Sequence, residues 1–139
     1  MAEFVMKALV RSRGLEGQYY IESAATSTEE TGNPVYPPAR RILSQSGIAV
    51  DPDKTARQFA RGDYARFDHI ICMEKYNVRN LMRIIGDDPE RKVTRLMDWT
   101  GTPGDVADPW YTGDFQSALD DILAGCEGLL IRLQASRWQ

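Results

Sequence analysis

Phe67-Asp68-His69-Ile70-Ile71-Cys72-Met73, followed by Glu74-Lys75-Tyr76-Asn77, is the stretch that decides the fold. Residues 67–73 make an apolar run of strand length, suited to a sheet covered on both faces. Beyond it, Val78, Leu81, Met82 and Ile85 share one face of a helix over 76–85, and Gly86 stops that helix. Residues 92–97 read as a further short strand. Toward the N-terminus, 61–66 predict a short helical turn and 51–60 a loop. Pro38 opens a helix through Ala39, Ile42 and Leu43 that Gly47 closes. The polar stretch SAATSTEETGNPVYPP (23–38) argues against regular structure, and β-rich QYYIESA (18–24) reads as a strand with Ser23 near its end. At the start, Ala2, Val5, Ala8 and Leu9 lie on one helical face with Phe4 beside them. Toward the C-terminus, a long loop over 98–113 leads to the strongest helix, 115–133, with Leu119, Ile122, Leu123, Cys126, Leu129 and Leu130 inward. Alternating strands and helices of this kind indicate a parallel α/β sheet with helices on both faces.

The chain has 139 residues, enough for one domain with a single core, here assigned to 1–134 with a disordered tail at 135–139. Apolar residues make up 42% and charged residues 27%, ordinary for a globular protein. A net charge of −3 gives no general attraction to nucleic acid or to an anionic membrane, so any anion site must be local. No apolar run approaches the 18 or so residues of a spanning helix. The opening MAEFVMKALV carries Glu3 and Lys7 within its apolar stretch and is not a signal peptide. Cys72 and Cys126 cannot build a disulfide framework, which points to a reduced cytoplasmic setting. The helical period already runs at Met1 with no capping Ser, Thr, Asp or Asn before it, so an upstream segment is expected.

Asp108-Pro109-Trp110-Tyr111 is the stretch with chemistry in it. A carboxyl group held by the next proline and followed by two aromatics suits a general acid beside a flat substrate. An Asp-Pro turn with aromatic anchors accounts for the same residues.

Taken in order, MAEFVMKALV, IESAATS, KTARQF, FDHIICMEKYN and DPWYTGDF resemble the low-molecular-weight protein tyrosine phosphatases over essentially the whole chain. No one of the five is decisive; their order and spacing are. The resemblance implies a flavodoxin-like parallel sheet of strand order 2-1-3-4, with the active site at the C-terminal strand ends. It implies hydrolysis of a phosphotyrosine protein or a small aryl phosphate through a cysteinyl-phosphate, without metal or cofactor. Asp108 matches the general acid, Trp110 and Tyr111 the aromatic walls of the substrate ring, and Ser23 a serine that supports the phosphate loop. Three positions depart from the family pattern. Glu29 and Glu30 stand where an aromatic rim residue is common, and so would disfavour acidic phosphopeptides. Lys54 replaces a supporting histidine, and Glu74 replaces an aspartate.

The family's nucleophile loop, Cys, five residues, Arg, then Ser-Pro, does not occur in these 139 residues. The resemblance therefore implies that the first, central strand and its loop are missing, and that the chain as it stands is inactive. Cys126 and Arg132 satisfy the bare spacing, yet Glu127-Gly128-Leu129-Leu130-Ile131 continue a helix whose amides are already bonded, and Leu133 follows. Arsenate reduction on the same scaffold would need a cysteine some seven residues after Cys72, where Arg79 stands. A non-catalytic phosphate- or partner-binding remnant is the rival of another class. The single histidine, His69, reads as a strand-edge residue and offers no metal constellation. Loss of a central strand would expose two sheet edges, which predicts closure of the gap, marginal stability or a dimer paired through those edges.

Overall fold

The computed structural model describes residues 1–28, 31–109 and 113–137. Its regular elements are α1 (Ala2–Ser12), α2 (Pro37–Gln45), α3 (Asp63–Arg66), β1 (Ile70–Cys72), α4 (Lys75–Ile85), β2 (Val93–Arg95) and α5 (Phe115–Arg137). Two 3-10 turns, Glu16–Gln18 and Leu96–Trp99, lie between them.

β1 and β2 pair in parallel, Ile70 with Val93, Ile71 with Thr94 and Cys72 with Arg95, and α4 makes the crossover. Alternation along β1 then divides its side chains. Ile70 and Cys72 join Phe59, Leu81 and Ile85 under α4, while Ile71 and Met73 pack into the larger core of α1, α2 and α5. Helices therefore cover both faces of the pair, as the apolar run predicts. The ladder is shorter than predicted, because only 70–72 and 93–95 lie against each other.

Local signals set the helix ends. Pro37 occupies the first position of α2, where its missing N–H costs nothing. At its other end Gly47 takes φ +77°, its N–H donates to the Ser44 carbonyl, and Ile48 N–H reaches the Leu43 carbonyl. That double closure leaves Leu43 and Ile48 packed together in the core. α4 begins with Glu74 and Asn77 in a reciprocal capping box and ends at Gly86, φ +85°.

Two expectations are corrected. Residues 18–24 form no ladder: Gln18 closes a 3-10 turn, 19–24 run without regular structure, and the first bridge comes at Ala25, opposite Gln58. A β-rich sequence becomes a strand only where a neighbour supplies backbone hydrogen bonds, and among the described residues no such bond reaches 19–24. The second concerns the tail. α5 runs through Arg137 instead of ending at 133, because Gln134 hydrogen-bonds Tyr19 and Ser136 Oγ donates to the Arg132 carbonyl. Trp138 and Gln139 lie outside the described residues.

α5 crosses the Leu96–Trp99 turn at unusually close range. Side-chain atoms of Leu96 fill the space a Cβ would need at Gly125, and the Trp99 carbonyl oxygen fills that at Gly128. Leu119 and Leu130 of the same helix, with Val5 and Leu43, are fully buried at the centre. Gly128→Ala should therefore destabilise the fold by about 2 kcal/mol, as overpacking against rigid backbone does. Its sign is opposite to the gain of about 1 kcal/mol that the same change gives in an open helix. Urea unfolding measures it, and a stabilised variant would show that the two backbones separate freely.

Candidate active site

The loop carrying Asp108 leaves the Leu96–Trp99 turn and is held at three successive residues. Asp105 Oδ1 accepts the Lys75 N–H at 2.9 Å and Arg95 Nη1 at 3.1 Å. Val106 buries its side chain and donates its N–H to the Met73 carbonyl at 2.9 Å. Ala107 N–H reaches Asp121 Oδ2, on α5, at 2.9 Å. Asp108 thus follows directly on a segment fixed from the β1 exit turn on one side and from α5 on the other. Its own residue is half-buried. After it, Gly113 at φ +71° returns its N–H to the Pro109 carbonyl at 2.7 Å. Asp114 then caps α5 through Ser117, whose N–H and hydroxyl both donate to its carboxylate.

Glu74, the departure at the β1 exit, faces this loop. Burial pushes its carboxyl above the ordinary range, and the charges of Asp108 and Asp105 push it further. Glu74 and Asp108, which belong to separate motifs, are thereby brought into one electrostatic neighbourhood.

Ser23 lies in a second cluster. Its hydroxyl donates to Glu3 Oε1 at 2.6 Å, Lys54 Nζ stands 3.0 Å from the same oxygen, and Lys7 Nζ lies 2.7 Å from Oε2. The Glu3 side chain is only 5% exposed. Burial alone would raise its carboxyl, but hydrogen bonds from Lys7, Ser23 and Lys54 outweigh that and hold it at about 2. Lys54 thus makes a charged contact to Glu3 of α1. The rest of KTARQF is equally occupied. Arg57 bridges Glu22, next to Ser23, and the buried Asp63, while Phe59 enters the smaller core. Glu3, Asp63, Asp105 and Asp121 were not read from sequence as site residues. Their partners lie 14 to 30 positions away in several cases, too far for any periodic signal.

Glu29, Trp110 and Tyr111, expected at the substrate rim, lie outside the described residues. Neither cysteine resembles a thiolate. Cys72 is buried in β1 with its thiol pushed up to about 11 by burial, and Cys126 is buried in α5 with its thiol pushed up to about 12. Arg132, the other half of the false Cys-x5-Arg pattern, lies over the Trp99 ring at 5.1 Å. His69 meets the same ring edge-on at 6.0 Å.

Two expected outcomes follow from these clusters. Asp108→Asn should lower the pH at which the Glu74 carboxyl titrates, read by carbon-13 NMR of the side chain; an unmoved midpoint would separate the two acids. Glu3→Gln should cost about 2 kcal/mol at neutral pH, the loss of hydrogen bonds to a charged group. Because the folded carboxyl sits below its ordinary value of 4.5, its stabilisation is present above 4.5 and is lost as pH falls toward about 2. Acid unfolding of the variant should therefore flatten in that window, and an unchanged profile would count against the cluster.

The pattern of the family described as low molecular weight phosphotyrosine protein phosphatase matches residues 1–138. The chain is 34% identical to the Bacillus subtilis low molecular weight protein-tyrosine-phosphatase YfkJ, covering 99% of this chain and 88% of that protein. It is 30% identical to the rat low molecular weight phosphotyrosine protein phosphatase, covering 94% of this chain and 84% of the relative. The YfkJ crystal structure superposes with a TM-score of 0.92 over 97% of this chain and 86% of that one. The phosphatase SP-PTP from Streptococcus pyogenes superposes at 0.84 with 37% identity, over 95% and 82%. With its parallel α/β architecture, this chain belongs to the low molecular weight phosphotyrosine protein phosphatase family of hydrolases.

Proposed function

We propose that this chain carries the acid half of a phosphotyrosine phosphatase site, with Asp108 as general acid. In the reaction, a cysteine thiolate forms the S–P bond while the P–O bond to the phenolate breaks, and the Asp108 carboxyl gives its proton to that oxygen. The resulting carboxylate then takes a proton from water as it attacks phosphorus, releasing phosphate and the thiolate. Trp110, Tyr111 and Glu29 would form the rim for a phosphotyrosine peptide or small aryl phosphate, and Ser23 would brace the phosphate loop.

The observation that supports this reading is the three-residue anchorage of 105–107, which fixes the segment directly preceding Asp108. The nucleophile is another matter. Both thiols are buried and protonated at neutral pH, so the 139 residues alone supply no cysteine for attack. The alternative reading is a non-catalytic phosphate- or partner-binding remnant of this fold. The free edge of β1, which pairs only with β2 among the described residues, offers a strand-to-strand contact for a dimer. Two unpaired cysteines fit a reduced cytoplasmic setting. No described helix is long and apolar enough to cross a membrane.

Hydrolysis of p-nitrophenyl phosphate tests this directly. The 139-residue chain should give no turnover, and a form extended at its N-terminus by a Cys-x5-Arg phosphate loop should give it. In the extended form Asp108→Asn should lower kcat by roughly 10²- to 10⁴-fold, the range for removing a general acid. Turnover by the unextended chain would overturn the mechanism.

A further inference from the structure

Arg40 is the side chain that neither the fold nor the acid site explains. Arg57, Arg66 and Arg95 each meet a carboxylate. Arg40 makes no ion pair among the described residues, and its Nε is shut off from solvent without an acceptor. A withdrawn guanidinium nitrogen with no partner is uncommon and costly. Asp51 accepts the Asp53 N–H and makes no ion pair with Arg40.

Arg40 lines an open cavity of about 360 Å³ between α2 and the turn that follows it. Ser44, four residues on, shares its helix face. Ile48, Val50 and Pro52 close the apolar side. The last carbonyls of α2, at Ile42, Leu43 and Ser44, are already taken by the amides of Ser46, Gly47 and Ile48, which mutes the negative helix end. The cavity is also remote from the acid loop. Tyr36, which caps the other end of α2, has its ring 5.9 Å from Phe115 beside that loop. The nine residues of α2 span roughly 13 Å.

We propose that this cavity is a second binding site, independent of the phosphatase reading, for a small organic carboxylate. Its oxyanion sits on Arg40 and the Ser44 hydroxyl, and its compact apolar body lies against Ile48, Val50 and Pro52. Arg40 is the one charged residue lining the cavity, and one guanidinium balances one charge, so a monocarboxylate fits better than a phosphate dianion. The volume is at the small end of ligand pockets, which suits a single ring and not a nucleotide.

Titration of the nitrogen-15-labelled 139-residue chain with benzoate, benzyl alcohol, phenyl phosphate and inorganic phosphate tests the assignment by NMR. Benzoate should shift the amides of Ser44 and of 47–50 saturably, and each of the other three should bind at least tenfold more weakly. Arg40→Met should weaken benzoate at least tenfold, with the α5 amides unmoved. Ser44→Glu, at an exposed helix position, should do the same by repulsion and covers the case in which Arg40→Met fails to fold. Unsaturable shifts, equal binding of benzyl alcohol, or phosphates as tight as benzoate would overturn the proposal. So would full affinity in the variants.

Discussion

The close approach of α5 to the Leu96–Trp99 turn is the constraint on which the rest of the molecule depends. Only glycine at 128 lets the helix backbone meet the Trp99 carbonyl, and only glycine at 125 leaves room for the Leu96 side chain, so the contact positions a 23-residue helix. That helix then packs against α1 and α2, closing the larger core around Leu43, Leu119 and Leu130. The same helix carries Asp121, so the position of the Asp108 loop is tied to how tightly α5 lies against the turn. Trp99 reinforces the arrangement by donating its indole N–H to Thr94 Oγ1 on β2 at 2.9 Å. Sheet, turn, helix and loop are thereby one mechanical unit.

Charge organises the other side. A buried carboxylate is costly unless its oxygens are occupied, and Glu3 has a lysine on each and a serine hydroxyl besides. Its partners come from α1, from the extended 19–24 segment and from the 51–57 loop, which no apolar contact alone would hold in register. Asp63 does the same for Arg57, Arg66 and the Ala60 N–H. Since 19–24 forms no ladder, these polar ties and the inward side chains of Tyr19 and Ile21 are what keep that segment in place. Two neighbouring carboxylates, Glu3 and Glu22, meet opposite demands: one is sunk among cations, the other is spread across a partly exposed arginine.

The cysteines show how far spacing alone can mislead. Cys126 and Arg132 stand at the interval of a phosphate cradle, yet on a continuous helix they point to different environments, a sealed core and the face of Trp99. The amides between them are spent on helical bonds, so nothing remains to hold a phosphate. Burial lifts the Cys126 thiol far from the acidity a nucleophile needs.

Much of this was legible in the residues themselves. Apolar periods marked α1, α4 and α5, Pro38 with Gly47 bracketed α2 to within one residue, and Gly86 ended α4, because each signal acts within a turn or two of the chain. The order of five short motifs pointed to the phosphatase family. Strand length and the tail were misjudged, since both depend on which segment lies alongside: 67–73 shortened to 70–72, and α5 continued past 133 once Gln134 found Tyr19. The anchors of the site were invisible for the same reason. Asp105, Asp121 and Glu3 look like surface acids in sequence, and each acquires its role through a partner 14 to 30 residues away. Helices, caps and family membership were thus written locally, whereas ladder extent, charge pairing and the placement of Asp108 were decided only when the chain closed on itself, because hydrogen bonds and desolvation depend on neighbours in space.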